Sequence, residues 1–245
     1  MDRVVALIVF LLLWQGVSLW TGAGVVPSVD MVGKALVTAL GTQAFWAALS
    51  ATLTSTSLSV VIVVLIGVPL GAVLGISAFL RISVNLVVEF MRTIPPVAII
   101  PLALLLFGPV LQMKLMVIVI GAIWPVLLHA TYAVRDIAQV HRDLVASFRV
   151  PRLIAWRHVF VPSMLPSIAL GIRISVTIAL LISIACEVIG GAPGLGAGLL
   201  TAQYAGDLSE TYAYIVMAAF LGLILNAITN GIVARLVGKR GRRSA

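Results

Sequence analysis

The feature that most constrains this chain is a long segment without a charged residue. Ala35 to Leu80 contains no Asp, Glu, Lys or Arg, and several more apolar runs follow it. A helix of roughly 20 apolar residues crosses a membrane, and lipid offers no partner for open backbone groups. Only 10% of all residues are charged, against about 25% in soluble domains. We therefore predict an all-α membrane protein.

Six transmembrane helices are predicted from these runs. Their approximate bounds are Val4–Trp20, Leu58–Leu80, Asn85–Phe107, Leu115–Ala133, Leu165–Ile189 and Tyr212–Ala234. The first is long for a cleavable signal sequence and carries two tryptophans, so we expect it to be retained. The uncharged segment has room for two spans, but the hydroxyl-rich run Ser50–Ser59 favours an amphipathic helix on the outer surface. A seven-span chain stays the alternative.

The positive charges indicate orientation, because Lys and Arg concentrate on the cytoplasmic side of membrane proteins. With the N-terminus inside, the outer side receives only Lys34 and Lys114. The inner side then receives Arg3, Arg81, Arg135, Arg142, Arg149, Arg152, Arg157, Arg235, Lys239, Arg240, Arg242 and Arg243. Arg92 and Arg173 are counted on neither side, because they are expected inside the membrane or at its interface. Both termini are predicted to be cytoplasmic. The net charge of +8 thus marks one membrane face, and no nucleic-acid partner is expected.

The longest predicted cytoplasmic loop, residues 135–162, is basic and amphipathic. Leu144, Val145 and Phe148 form a short apolar stripe, and Pro151 ends that helix and can begin a second one. Such a segment can lie on anionic lipid. It can equally dock into a groove of a soluble partner, with Phe148 as the apolar anchor and arginines as its charged rim.

This loop resembles the cytoplasmic signature of binding-protein-dependent ABC importer permeases, EAA-x3-G-x9-I-x-L-P. Aligned on Pro162, the Glu-Ala-Ala positions fall on Asp143, Leu144 and Val145, and the glycine falls on Arg149. The acidic residue and the final proline are kept in kind. The glycine is replaced, so Pro151 is a second place where the chain could bend.

Two flanking segments resemble the nitrate, sulfonate and taurine branch of the same family. Residues 91–108, MRTIPPVAIIPLALLLFG, are similar to its third-span signature R-x-I-P-P-x-A-x-x-P-L-x-x-x-x-F-G. Residues 165–196 are similar to its L-P-x-x-x-x-G-L-R segment, which leads to an acidic residue and a glycine-rich turn. The resemblance implies a type I, MetI-like permease core in a bacterial inner membrane, with both termini inside.

The same resemblance implies the division of the chain and its partners. Residues 1–57 would form an N-terminal helix with a periplasmic segment, residues 58–234 the permease core, and residues 235–245 a basic tail. The partners would be a dimer of ATPase subunits, a periplasmic or lipid-anchored solute-binding protein, a second permease copy and membrane lipid. ATP and Mg would bind the ATPase, and no cofactor is expected on this chain. The residues implied to contact the ATPase are Asp143, Leu144, Val145, Phe148, Arg149, Pro151 and Arg152.

Several residues inside predicted spans are candidates for the transport pathway or its gate. Arg92 lies three residues after Glu89, which predicts either a neutralising pair at the interface or a conformational latch. Pro95 and Pro96 should break this helix, and such irregular backbone must face protein or a water-filled cavity. We therefore expect the helix to line the pathway.

Glu187 is an acidic residue in an apolar run, which is costly unless it meets water or a partner. It could lie near the outer end of its span, where water reaches it, or serve a structural or gating role. The glycine-rich turn after it, including Gly191, Gly194 and Gly196, lacks the lysine of a phosphate loop and is predicted to form an outer gate. The histidines have no metal-ligand spacing, and neither a catalytic centre nor an ATP-binding motif is recognisable.

The leading hypothesis is a non-enzymatic permease subunit of an ATP-driven importer. Its solute would be a small organic anion such as a sulfonate or taurine, with nitrate, bicarbonate or a heterocyclic vitamin precursor as alternatives. The competing hypothesis is an ion-coupled secondary transporter, which should have paired intramembrane acids and inverted half-repeats.

Overall fold

The structure is a computed structural model that describes residues 2–22, 24–137, 143 and 145–241, with side chains described for most of them. These ranges are helical almost throughout. The helices are α1 (Asp2–Thr21), α2 (Val29–Leu40), α3 (Gln43–Ile76), α4 (Ala78–Thr93), α5 (Pro96–Phe107), α6 (Leu111–Arg135), α7 (Arg152–Ala155), a π-helical turn (Trp156–Phe160), α8 (Val161–Gly190), α9 (Leu195–Tyr204) and α10 (Leu208–Gly241). The prediction of an all-α membrane protein is confirmed.

Within the described residues, four helical segments are long and apolar enough to cross a membrane, and the bent pair α4–α5 can be counted as a fifth. The four are Gln43–Ile76, Leu111–Arg135, Leu153–Tyr204 and Leu208–Arg235. They match the second, fourth, fifth and sixth predicted spans. The first predicted span coincides with α1, which is apolar but shorter. The total of six spans and the cytoplasmic location of both termini stay predictions.

The expectation of a separate surface helix at Ser50–Ser59 is wrong. A single helix, α3, begins at Gln43 and runs through this region and through the predicted boundary at residue 58. Thr52, Ser55, Thr56 and Ser59 are all buried in the bundle. Their spacing places them on one helix face, and serine and threonine are the hydroxyl residues that membrane helices bury against one another. The run is therefore a packing face of a long span.

Close packing of α3 against α6 depends on three glycines spaced four residues apart. A Cβ on Gly67 would lie 3.1 Å from the Val126 side chain, and one on Gly75 would lie 2.8 Å from the Thr131 carbonyl oxygen. A Cβ on Gly71 would overlap the Leu127 carbonyl oxygen. Small residues at this spacing let two membrane helices approach closely, where van der Waals contact drives association.

The helices α6 and α8 form the centre of the bundle. The α6 residues Val117, Ile118, Ala122 and Val126 are completely buried. The hydroxyl of Ser175 in α8 donates a 2.6 Å hydrogen bond to the Ala122 carbonyl oxygen. Because the π turn runs directly into α8, this central helix also carries the second half of the predicted cytoplasmic loop.

The third predicted span is broken, as the prolines predict. The helices α4 and α5 meet at an angle of 84°. Pro95 and Pro96 stand at the break, where proline can begin a helix but cannot donate to the preceding turn. On α4, four large apolar side chains at helical spacing are exposed: Phe79, Ile82, Leu86 and Phe90.

Candidate functional site

A charged pair is buried where α6 begins and α8 ends. Lys114 is 2% exposed and Glu187 is 0% exposed. The Lys114 Nζ lies 2.6 Å from the Glu187 Oε1. Removing two charges from water is costly unless they pair closely and their remaining hydrogen-bonding capacity is used. Both conditions are met here.

Three further donors surround the Glu187 carboxylate. The Thr52 hydroxyl donates to Oε1 at 2.9 Å, and the Ser183 hydroxyl donates to the same oxygen at 3.1 Å. The backbone N–H of Gly196 donates to Oε2 at 2.9 Å. The Lys114 Nζ also donates to the Pro193 carbonyl oxygen at 3.1 Å. We call Thr52, Lys114, Ser183 and Glu187 the Glu187 cluster; it joins side chains of α3, α6 and α8.

The cluster holds the glycine-rich turn between α8 and α9. Gly191 has φ +66° and ends α8 in the left-handed conformation that glycine adopts without strain. Gly194 has φ +157°, and a Cβ there would overlap the Glu187 carboxylate. A Cβ on Gly196 would lie 2.8 Å from the Glu187 Cβ. Gly194 and Gly196 are thus required because the backbone of the turn lies directly on the acidic side chain, whereas Gly191 is required by its left-handed φ.

Of the two alternatives for Glu187, the one in which water reaches it does not hold, because its side chain is completely buried. Lys114, which was expected at the outer interface, is buried as well. Glu187, Gly194 and Gly196 come together as predicted candidates, and Gly191 starts the same turn. Thr52, Lys114 and Ser183 were not predicted. One signal was available: Lys114 and Glu187 are isolated opposite charges in two apolar runs, and such residues usually pair inside membrane proteins.

The other pathway candidates lie elsewhere. Arg92 is exposed in the last turn of α4, and Pro95 and Pro96 follow it at the break. Within the described side chains, Glu89 accepts a 3.1 Å hydrogen bond from Asn85 Nδ2 and forms no ion pair with Arg92. The neutralising pair predicted for this helix is therefore absent from the structure.

The predicted ATPase-contacting loop bends at the position where the family motif has glycine. Arg149 has φ +48°, a left-handed conformation that costs a non-glycine residue roughly 1–2 kcal/mol. Phe148, immediately before the bend, is 76% exposed, and Val145 is half-buried. Asp143 is helical, and Pro151 is exposed just before α7. Leu144 and the side chain of Arg152 lie outside the described residues.

The chain continues from this bend into the central helix without a loop. Leu153 and Ile154 are exposed on α7, and Trp156 begins the π turn. The Val161 N–H donates to the Trp156 carbonyl oxygen five residues back. Pro162 lacks an N–H and cannot make the α-helical bond at the next position, which favours this wider turn. The exposed apolar side chains Phe148, Leu153, Ile154 and Trp156 therefore lie on a segment that continues directly into α8.

The broken span α4–α5 and the bend at Arg149 lie at the positions of two permease signatures found in the sequence. The family described as "Binding-protein-dependent transport system inner membrane component" matches residues 67–242. The chain therefore belongs to this family of ABC transporter permeases.

Within the described side chains, no group of three or more His, Cys, Asp or Glu residues could hold a metal ion.

Relatives in the same family carry different names. The nitrate import permease protein NrtB of Leptolyngbya laminosa is 29% identical over 68% of this chain and 60% of its own length. The taurine transport system permease protein TauC of Escherichia coli is also 29% identical, over 85% of this chain and 76% of that protein. The putative aliphatic sulfonates transport permease protein SsuC of Bacillus subtilis is 26% identical over 68% of this chain and 60% of that protein.

Two inward-facing structures of the MetNI methionine ABC transporter have a similar fold. One superposes with a TM-score of 0.67 at 21% identity, over 78% of this chain and 94% of that chain. The other superposes with a TM-score of 0.65 at 22% identity, over 76% and 93%. At this identity the likeness establishes the fold, and it confirms the MetI-like core.

Proposed function

We propose that this protein is the membrane permease subunit of an importer driven by a separate ATPase, and that the Asp143–Arg157 bend receives the force. The observation that carries the proposal is the bend itself. It exposes Phe148 next to a left-handed Arg149, at the position that aligns with the family glycine. An exposed aromatic beside an arginine is suited to a pocket on a soluble partner.

The bend is mechanically coupled to the bundle because α7, the π turn and α8 follow one another without a break. A helix of 30 residues spans about 45 Å, so α8 is long enough to cross the membrane. A displacement of the bend is applied to the end of the helix whose other end carries Glu187. In the proposed cycle, ATP-driven closure of two ATPase subunits moves these bends and changes which side of the membrane is open.

The solute is proposed to be a small oxyanion-bearing compound, with a sulfonate or taurine first and nitrate or bicarbonate next. The names of the relatives support this range. A buried carboxylate would repel an anionic solute, but the charge of Glu187 is balanced by Lys114 inside the bundle. A solute-binding protein would deliver the solute, and a second copy of the permease would complete the pathway, since few helices are available to enclose it.

The test is to express this chain together with its cognate ATPase subunit, and to measure co-purification of the ATPase and solute uptake. Phe148→Asp places a charge where the proposal needs an apolar anchor. We expect it to abolish both co-purification of the ATPase and ATP-dependent uptake of radiolabelled taurine, sulfonate or nitrate.

Phe79→Asp is a matched control, because Phe79 has nearly the same exposure but lies on α4. It should leave co-purification intact. If Phe148→Asp retains full coupling while the protein remains folded, the docking assignment is refuted.

A further inference from the structure

We propose that the Glu187 cluster is the positioning device of the gate: its side chains cap α9 from neighbouring helices and thereby fix the glycine-rich turn. This inference rests on the proposed transport function and adds residues that the family motif does not assign. It is carried by hydrogen bonds from the first turn of α9 to side chains of α3 and α8, and by one from the α6 residue Lys114 to Pro193, just before α9.

The first turn of a helix has backbone N–H groups without helical partners, and a side chain at the N-cap usually accepts from one of them. The N-cap of α9 is Gly194, which has no side chain. Its place is taken by residues distant in sequence. The Leu195 N–H donates to the Thr52 hydroxyl at 3.0 Å, and the Gly196 N–H donates to Glu187 at 2.9 Å.

The absence of a side chain at Gly194 is part of the same arrangement. A Cβ there would overlap the Glu187 carboxylate, so the acidic group occupies the space of a local capping residue. A carboxylate at a helix N-terminus is also favoured by the helix dipole. Residue 194 must therefore be glycine for Glu187 to act as the cap.

Lys114 holds the other side of the turn. Its Nζ pairs with Glu187 and donates to the Pro193 carbonyl oxygen at 3.1 Å. The turn thus has its carbonyl bound by a cation and its N–H groups bound by a hydroxyl and an anion. These bonds are directional: an acid at position 114 could not donate, and a lysine at position 187 could not accept.

The location of the cluster explains why it matters for gating. Glu187 is in the last turn of α8, the helix that begins beside the proposed ATPase-contacting bend. Thr52 and Lys114 belong to α3 and α6, which pack against α8 in the centre of the bundle. A shift of α8 relative to them changes the hydrogen bonds that fix the turn.

The sharpest test is the conservative change Thr52→Val, which keeps shape and removes the acceptor for Leu195. Hydrogen exchange is measured on the peptide covering residues 191–199 in the complete transporter in nanodiscs. We expect exchange about two- to tenfold faster, the effect of one net hydrogen bond. ATPase activity without the solute-binding protein should rise in parallel, because a merely structural defect would not release the ATPase from control.

Two variants of the same helix serve as controls. Thr52→Ser keeps the hydroxyl and should retain slow exchange. Thr56→Val makes the same chemical change one turn later, at a buried hydroxyl that has no hydrogen-bond partner among the described residues. It should leave exchange unchanged. Equal exchange in Thr52→Val and Thr56→Val would overturn the proposal.

A charge exchange separates directional capping from simple neutralisation. Lys114→Glu combined with Glu187→Lys keeps the site neutral but reverses donors and acceptors. We expect fast exchange at residues 191–199 to persist, whereas recovery to the rate of the unmodified protein would overturn the proposal. The exchange measurement does not depend on solute transport. If the unmodified protein fails to import any solute yet protects this turn as described, the proposed function fails and the capping assignment stands.

Discussion

Replacing Lys114 with methionine tests how much the buried pair contributes to the stability of the bundle. Methionine keeps the length of the side chain and removes its charge. Breaking a buried ion pair typically costs 3–5 kcal/mol, because the remaining charge is left without compensation. Glu187 would keep three donors, from Thr52, Ser183 and Gly196, at 2.9, 3.1 and 2.9 Å. We therefore expect the lower end of this range, about 3 kcal/mol.

The double variant Lys114→Met/Glu187→Gln refines the prediction. Glutamine removes the unpaired charge and still offers an oxygen to its donors, so the second change should add little to the first. A coupling free energy of about 1–3 kcal/mol between the two positions is expected for residues in direct contact.

The assay is reversible unfolding in mixed detergent and SDS micelles, followed by tryptophan fluorescence. Lys34→Met is the matched control, because Lys34 pairs with Asp30 at 3.4 Å but is 82% exposed. Its cost should stay within about 0.5 kcal/mol. A cost below about 1 kcal/mol for Lys114→Met, or strict additivity with Glu187→Gln, would refute the assignment of a compensated buried pair.

Three further results are expected. Gly194→Ala should abolish uptake and markedly lower the melting temperature, since its Cβ would overlap the Glu187 carboxylate. The control Gly33→Ala should be tolerated, because a Cβ there meets nothing within 4 Å, and equal melting temperatures of the two variants would contradict the prediction. Gly71→Ala should cost about 1–3 kcal/mol in the same unfolding assay, because it separates α3 from α6, and a neutral result would contradict that packing. Hydrogen bonds from Arg135 hold the pKa of Asp136 below its usual range. The stability that Asp136 contributes is therefore present at neutral pH and is lost as the pH falls through that lowered pKa. The difference in melting temperature between the unmodified protein and Asp136→Asn should shrink between about pH 7 and pH 3, and a constant difference would count against this pair.

The overall class was predictable because lipid restricts the chain to helices. Long apolar runs located the spans at Leu115–Ala133 and Leu165–Ile189 within a few residues of the observed helices. The prolines at positions 95 and 96 located the break between α4 and α5, since both the ring and the missing N–H oppose a continuous helix. The angle of 84° could not be derived, because proline restricts its own φ but does not fix the direction in which the next helix leaves the break.

The wrong predictions have one cause: the sequence shows each polar residue in an apolar run without its partner. Alone, Thr52 and Ser55 favour a surface and Lys114 favours the outer boundary, because each of these side chains is stabilised by water. In the structure they lie against Glu187 and Ser183, which are distant in sequence. Local patterns carry no information about such pairing. The replacement of glycine by Arg149 was likewise readable only as a departure from the motif, although the structure retains the left-handed bend.

The most direct test of the whole account is uptake into vesicles in which ATP and the proton gradient are controlled separately. The permease is reconstituted with the proposed ATPase and solute-binding protein, and uptake of radiolabelled taurine, sulfonate and nitrate is followed. We expect uptake to stop when ATP is depleted although the gradient is held, and to continue when the gradient is collapsed with ATP present. Uptake that follows the gradient and ignores ATP would contradict it.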